Sequence, residues 1–349
     1  MTTSTPSSPR RPPVMADVAR LAGVSLGTVS NVVNTPARVK PATRLRVEDA
    51  IASLGFTPNT SARTLAAGRG TLVGFVAVDL GNSYFLDIAR GVEREADLSR
   101  QSVLLGNSDV DLDKQTGYLK LFEQAQAAGI VLAPFDGPLD EARRLRRRGL
   151  RVVHVNWPGE PDESCGVVVD EVLGGRLAAQ HLLDQGRRRI VFVGGPLDLT
   201  AVRHRFEGAS AATREAGAPL GLITTAALTV RAGLAVGRDL VAHEPSARPD
   251  GIVAASDALA SGIVQSLLLG GVGIPDDLSI TGYDDNHFAQ GTTLPLTTVG
   301  QPGVEMGGQA MRLLRDELEN PETHRHETVV LPPRLIVRGS SLQVPVDGV

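Results

Sequence analysis

The sequence predicts an all-α head followed by an α/β body built from two doubly wound parallel-sheet subdomains. Apolar residues recur at helical spacing over residues 14–58. Beyond residue 72, short β-branched runs alternate with longer helical patterns, which is typical of parallel sheets covered by helices on both faces. These runs are too numerous for one sheet, so we expect two similar half-domains with a cleft between them. A chain of 349 residues, 42% of them hydrophobic, can form both parts.

The composition excludes several classes of protein. The single cysteine, Cys165, rules out a disulfide within the chain and suits a reducing compartment. No apolar run is long enough to span a membrane, and residues 1–13 lack the apolar stretch of a secretory signal. We therefore expect a cytoplasmic protein without a membrane partner. Residues 1–13 are expected to be a disordered tail, and residues 341–349 a second tail.

Charge is distributed unevenly along the chain. Residues 1–70 contain nine Lys or Arg and three Asp or Glu, a net charge of +6, whereas the remainder carries −10 and the whole chain −4. A basic head on an acidic body suits a head that meets a polyanion such as DNA. An uneven surface without function is the alternative, and charge alone does not decide between them.

The head is expected to form three short helices. The first runs over Met15–Ala22 and ends at Gly23, the second begins after the N-cap residue Ser25, and the third runs over Pro41–Leu54. The buried stripe of the second helix is Val29, Val32 and Val33. Two short helices joined by a tight glycine turn are typical of the helix-turn-helix, whose second helix enters the DNA major groove. An ordinary three-helix bundle is the alternative.

Several segments resemble one family. Residues 15–34 closely resemble the head of the LacI-type regulators, the family of the lactose and purine repressors. Weaker matches follow in order at residues 55–65, 82–85, 129–134, 193–197, 282–285, 295–302 and 333–338. The resemblance implies a DNA-binding transcription regulator, most simply a repressor, with a body like that of periplasmic binding proteins and a small-molecule effector.

The resemblance also implies which head residues meet DNA. It places base contacts on Leu26, Gly27 and Asn31, and Asn31 has a case of its own because an amide can pair with an adenine edge. Gly27 removes a side chain that could read a base. The phosphate-positioning residues would be Ser25, Thr28 and Ser30, with Asn34 on the same exposed face.

Residues 59–71 are predicted to be a hinge. They could form one or two helical turns but have too little apolar surface to be stable alone, so a plain linker is a serious alternative. In the family interpretation this segment folds on DNA beside its partner-subunit copy, with Ser61 and Ala62 near the duplex. Leu65 would then be an apolar wedge in the minor groove. We expect a homodimer on a pseudo-palindromic operator of double-stranded DNA.

The body, residues 72–340, is predicted to bind the effector and to dimerise. One subdomain would comprise about residues 72–170 and 301–330, the other about residues 171–300 and 331–340. Parallel sheets bind ligands at the carboxyl ends of their strands, where polar residues follow nearly every apolar run here. The resemblance places the effector on Arg205 and Asp284. The other candidate cleft residues are Tyr84, Phe85, Asn156, Trp157, Leu228 and Asp257.

The ligand and the rival classes stay open at this level. Carboxylates, amides and a guanidinium favour a sugar or sugar derivative, while Tyr84, Phe85 and Trp157 would suit a purine or nucleoside. A solute-binding protein and a sugar-processing enzyme with a helical head are the other classes. No catalytic motif, cofactor or metal site is expected.

Three further groups of residues are interpreted as structural rather than functional. His324 and His326 are assigned to a solvated turn in preference to a metal pair, although a pair is possible. Cys165 is assigned to inert apolar core. The arginine-rich residues 143–148 are assigned to a solvated helix end rather than a second DNA site.

Overall fold

The computed structural model describes residues 11, 13–56, 70–135, 139–291 and 294–342. The chain divides into two compact units, residues 1–70 and residues 71–349. None of the described helices is both long and apolar enough to cross a membrane.

The head contains the three predicted helices. They are α1 (Met15–Ala22), α2 (Leu26–Asn34) and α3 (Pro41–Leu54), with a 3-10 turn at Pro36–Arg38. Gly23 ends α1 in the left-handed conformation, at φ 62°, which glycine adopts without strain. Val18, Val29 and Val47, one from each helix, are completely buried and belong to the same hydrophobic cluster. Val33 lies at the margin of the stripe and is only half-buried.

The first half of the body, here the first lobe, is a six-stranded parallel sheet in the order β11–β5–β4–β3–β1–β2. Its strands are β1 (Leu72–Ala77), β2 (Ser102–Asn107), β3 (Gly129–Leu132), β4 (Arg151–Val155), β5 (Gly166–Val169) and β11 (Thr328–Leu331). Its helices are α4 (Ser83–Leu98), α5 (Leu112–Gln124), α6 (Asp140–Arg147) and α12 (Gly303–Glu319). Every residue of β3 is buried, because helices cover both faces of the sheet.

The second lobe is a six-stranded sheet in the order β12–β10–β9–β8–β6–β7. Its strands are β6 (Ile190–Gly194), β7 (Gly221–Thr224), β8 (Gly251–Ala254), β9 (Ser279–Asp284), β10 (Thr297–Gly300) and β12 (Arg334–Ile336). Its helices are α7 (Glu171–Asp184), α8 (Thr200–Glu215), α9 (Val230–Ala242), α10 (Asp257–Leu269) and α11 (His287–Gln290), with a 3-10 turn at Pro245–Ala247. The two sheets confirm the predicted fold class.

The chain crosses between the lobes three times. It passes from β5 into α7 at Asp170, from β10 into α12 through residues 301–302, and from β11 into β12 through residues 332–333. The last connection is so short that the chain enters the second sheet at its carboxyl edge. As a result β12 runs antiparallel to β10, an exception to the parallel arrangement predicted from the sequence.

Three smaller expectations were correct only in part. The turn that contains His324 and His326 is exposed at residues 321–323 and 325, as predicted, but His326 is half-buried and the His324 side chain is only 3% exposed. Cys165 is completely buried in the core of the first lobe, as predicted, but it directly precedes β5 and its sulfur also contacts both histidine rings. Residues 143–148 do end a helix, with Arg147 and Arg148 exposed as predicted, but the other arginines are engaged in ion pairs with glutamates, and Arg146 is only 11% exposed.

Candidate nucleic-acid interface and ligand cleft

The exposed face of α2 carries the residues predicted to read bases. Leu26 is 54% exposed, and Gly27 and Asn31 are exposed beside it, whereas Val29 and Val32 hold the opposite face in the head core. A large exposed leucine on an otherwise polar face is a feature that base contact would explain. The face contains no acid, so nothing on it would repel phosphate.

Hydrogen bonds within α2 fix its polar side chains. The Ser25 hydroxyl accepts from the Thr28 backbone N–H at 3.1 Å, as expected of an N-cap. It also lies 2.9 Å from the Thr28 hydroxyl, and the Asn34 amide donates to Ser30 Oγ at 3.2 Å. These four side chains therefore lie in defined positions beside the face of α2 that is predicted to read bases.

Exposed cations in the head lie close to α2 in sequence and were not singled out as contacts. Arg38 and Lys40 occupy the connection between α2 and α3 and are both exposed. They add charge without sequence preference. The predicted hinge residues Ser61, Ala62 and Leu65 lie outside the described residues.

In the body, Arg205 lies near the start of α8 and is 6% exposed. Its Nε and Nη2 atoms donate to the two carboxylate oxygens of Glu171 at 2.8 and 2.9 Å, and Nη1 donates to the Ala255 carbonyl at 2.7 Å. The guanidinium also stacks 3.8 Å from the centre of the Tyr283 ring. This arrangement requires arginine. The lysine ammonium group has neither the paired N–H donors for a bidentate contact nor a planar surface that can stack on a ring.

Asp284 ends β9 and meets Arg205, at 3.8 Å between Oδ1 and Nη1. Its oxygens accept from Asn82 at 3.0 Å and from Gln301 at 2.7 Å. Burial raises the pKa of Asp284 to about 6, against the opposing effect of the Arg205 charge. A buried carboxylate and a buried guanidinium therefore face each other where the two lobes meet.

Asp257 occupies a different position from the other candidates. It is completely buried at the start of α10, and its oxygens accept from the Asn286 backbone N–H at 2.9 Å and the Thr298 hydroxyl at 2.6 Å. Burial, and then the nearby Asp284, raise the pKa of Asp257 well above its usual value. Because both of these partners belong to the second lobe and follow or flank β9, these contacts favour a role in holding the loop after Asp284.

The predicted apolar walls are more enclosed than expected. Tyr84 and Phe85 are 3% and 9% exposed, and the Tyr84 hydroxyl donates to Asn156 Oδ1 at 2.6 Å. Trp157 is half-buried against the cluster around β1, α5 and α6, while Leu228 packs on the two clusters of the second lobe. The structure thus brings Tyr84, Asn156, Arg205 and Asp284 together and leaves Trp157 and Leu228 at the sides.

Sequence reasoning missed Glu171 and Gln301, both of which lie on crossings between the lobes. Glu171 directly follows Asp170, the polar residue at the end of the apolar run 166–169. Its place at the carboxyl end of a predicted strand could therefore have identified it. Gln301 follows β10, a strand that the sequence analysis did not predict, although it lies within the family-like segment 295–302, which was the signal that could have identified it.

Comparisons with known proteins agree with this architecture. A model of the lacI family of bacterial regulatory proteins matches residues 14–59, and a model of the periplasmic binding protein-like domain matches residues 179–341. The ribose operon repressor of Escherichia coli strain K12 is 34% identical over 331 residues, which cover 94% of this chain and 99% of that protein.

Two solved structures are similar. The complex of the transcriptional regulator CelR with cellobiose superimposes with a TM-score of 0.65 at 30% identity, covering 94% of this chain and all of that one. A LacI family transcriptional regulator from Enterococcus faecium with bound ribose gives a TM-score of 0.70 at 27% identity, covering 78% of this chain and all of that one.

Proposed function

This chain belongs to the LacI family of bacterial regulatory proteins, and we propose that it is a repressor whose affinity for its operator is set by a sugar or sugar derivative. As a member of that family it is a DNA-binding transcription regulator and not an enzyme. Its binding partner is chromosomal DNA, so we place it in the cytoplasm. The observation that carries the effector half of the proposal is the buried pair of Arg205 and Asp284 between the lobes.

On the DNA side, α2 would lie in the major groove with Leu26, Gly27 and Asn31 toward the bases. Ser25, Thr28, Ser30 and Asn34 would contact or orient toward phosphates. The exposure of the first group and the internal hydrogen bonds of the second support this division. Two heads of a homodimer would read the halves of a pseudo-palindromic site, with Ser61, Ala62 and Leu65 at its centre.

On the effector side, the polar groups suit a ligand rich in hydroxyls. A carboxylate accepts from hydroxyl groups and a guanidinium donates to them, so Asp284 and Arg205 together can bind neighbouring hydroxyls of one ring. Similar proteins have been solved with cellobiose and with ribose. The purine alternative is less well supported, because the buried rings of Tyr84 and Phe85 offer little free face for stacking.

The decisive experiment selects operator fragments from genomic DNA with the purified protein and then adds a panel of sugars and nucleosides. We expect specific fragments to be retained, with affinity falling steeply as salt rises, and one sugar to change that affinity. Arg205→Ala should keep the operator and lose the sugar response. Arg203→Ala is the matched control, because Arg203 lies on the same helix but is exposed. No retained fragment at any salt concentration would contradict the DNA half, and a nucleoside-only response would contradict the sugar half.

A further inference from the structure

A second cluster of side chains lies at the opposite edge of the first lobe from the cleft. Cys165 precedes β5, and His324 and His326 lie in the turn between α12 and β11, which pairs with β5. These residues are at the amino ends of two parallel strands, whereas the cleft is at the carboxyl ends. The cleft function therefore does not account for them.

The donor atoms converge on one point. The Cys165 Sγ atom lies 3.2 Å from His324 Nε2 and 3.7 Å from His326 Nδ1, and all three donors lie within 4.8 Å of one another. A tetrahedral zinc ion, with its usual bond lengths to sulfur and nitrogen, needs roughly 3.5 Å between a thiolate and an imidazole ligand. The two observed distances lie on either side of that value, so small side-chain shifts would complete the geometry.

The orientation of His324 is fixed by a carboxylate. Its Nδ1 atom lies 2.7 Å from Asp316 Oδ2, so Nδ1 carries the proton and Nε2 presents its lone pair toward the sulfur. A carboxylate behind a ligating histidine is the usual way in which proteins orient an imidazole for a metal. An ordinary surface histidine has no need of this arrangement.

His326 is held less firmly. Its Nε2 atom lies 3.4 Å from an Arg146 nitrogen, a long contact that would give way if Nδ1 bound a metal and the proton moved to Nε2. Arg146 would keep its stronger bonds to the Val152 carbonyl and to Glu317, at 2.8 and 2.9 Å. The pairing of this arginine with buried Glu317 also reduces the repulsion that a bound cation would meet.

Solvent reaches the cluster from one side. His324 and His326 line an open cavity of about 380 Å³, together with Arg143, Arg147, Arg151 and Glu163. Cys165 lies behind the histidines and does not line the cavity, so an ion would enter past the imidazoles and take its solvent ligand from the cavity side. Three protein ligands with one open position are a common zinc arrangement.

We propose that Cys165, His324 and His326 bind a zinc-class divalent ion, with solvent supplying the fourth ligand. The thiol of Cys165 loses its proton to solvent as the bond to the metal forms, while both imidazoles bind in the neutral form. The ion would join the start of β5 to the turn that leads into β11, the outer strand of the first sheet. The inference goes beyond the proposed function and does not depend on it.

The test uses the full chain, stripped with a chelator and titrated with Zn²⁺ against a chromophoric competitor, and with Co²⁺ as a spectroscopic probe. We expect one ion per chain and a thiolate-to-cobalt charge-transfer band. Cys165→Ser should lose that band and His326→Gln should bind more weakly. Asp316→Asn should lower affinity by about 10-fold to 100-fold, as loss of an orienting carboxylate usually does.

His243→Gln is the matched control, since His243 is an exposed histidine at the end of α9 and should leave the titration unchanged. If Cys165→Ser does not fold, the His326 and Asp316 variants decide. The proposal is overturned if the cobalt complex shows no charge-transfer band. It is equally overturned if all variants bind Zn²⁺ as the original chain does.

Discussion

At the scale of single residues, Arg205 is already engaged before any ligand arrives. Glu171, the Ala255 carbonyl and the Tyr283 ring fix its guanidinium in one orientation. A side chain held in this way loses little conformational entropy when a ligand binds. More of the free energy of each hydrogen bond therefore appears as binding affinity. Glu171 lies on a crossing between the lobes. A ligand that binds Arg205 therefore also affects the ion pair that joins Arg205 to this crossing.

Asn31 is predicted to set operator preference without supporting the head. Its side chain is exposed, so Asn31→Ala should leave the thermal stability of the head unchanged while reducing discrimination at one base pair by about 1–3 kcal/mol. Selection from a randomised half-site would measure this. Val29→Ala is the contrasting variant, because Val29 is buried and its truncation should weaken binding to all sequences alike. Unaltered selectivity of the Asn31 variant would remove Asn31 from the base-reading set.

The raised pKa of Asp284 predicts a pH dependence of stability. Its folded-state pKa of about 6 exceeds the ordinary value of 3.8, so the folded chain binds an extra proton between those limits. The stability of the wild type relative to Asp284→Asn should therefore rise as pH falls from 7 to 4, by on the order of 2 kcal/mol. Urea denaturation of both chains across this range would measure the difference. A difference that is flat or falls toward acid pH would show that Asp284 is not destabilised as a carboxylate.

At the scale of elements, three helix pairs pack through glycines that touch the partner's backbone. A Cβ atom on Gly91 would overlap the Val304 carbonyl between α4 and α12. The same holds for Gly175 against Arg205 between α7 and α8, and for Gly233 against Leu259 between α9 and α10. The close approach of α7 to α8 places Glu171 within reach of Arg205, so the packing contributes to the site.

Gly91→Ala should accordingly destabilise the body by about 1–3 kcal/mol, the usual cost of overpacking. Gly117→Ala is the matched control, because a Cβ atom there meets nothing within 4 Å and the position is helical. The control should be stabilised by about 0.5–1 kcal/mol through improved helix propensity. Thermal unfolding of the two variants side by side tests the pair, and equal melting temperatures would contradict the packing argument.

The elements that sequence reasoning recovered are those with strong local signals. The head helices have an N-cap serine, a left-handed glycine and regular valine spacing, and their bounds were predicted correctly. Strands β7, β11 and β12 are partly exposed and β10 begins with two threonines, so none of them forms the buried apolar run by which the equally short β3, β5 and β8 were recognised. Contacts that depend on them, such as Gln301 with Asp284 or Cys165 with the histidines, follow from tertiary pairing and have no local signature.

At the scale of the whole body, polar contacts hold the two lobes together beside the cleft. Asn82 of the first lobe donates to Asp284 and accepts from the Asn286 amide, both at 3.0 Å, and the His287 backbone N–H donates to Ser83 at 3.1 Å. One of these residues, Asn82, donates directly to the carboxylate that the effector is proposed to contact. Ligand binding and the lobe arrangement therefore share the same groups, which is what coupling between a ligand and a conformational state requires.

Asn82→Ala should loosen this contact without unfolding either lobe. It removes the two hydrogen bonds across the lobes, worth about 0.5–1.5 kcal/mol each, together with the N-cap bond that Asn82 accepts from the Tyr84 backbone N–H, so the lobes should separate about tenfold more often or beyond. Hydrogen exchange in the absence of ligand measures this directly, and the His287 amide should exchange correspondingly faster. Asn320→Ala is the control, since Asn320 lies at the far end of α12 and should leave that amide unchanged. If the His287 amide exchanges at the same rate in both variants, the arrangement of the lobes is set by the three crossings alone and Asn82 has no part in it.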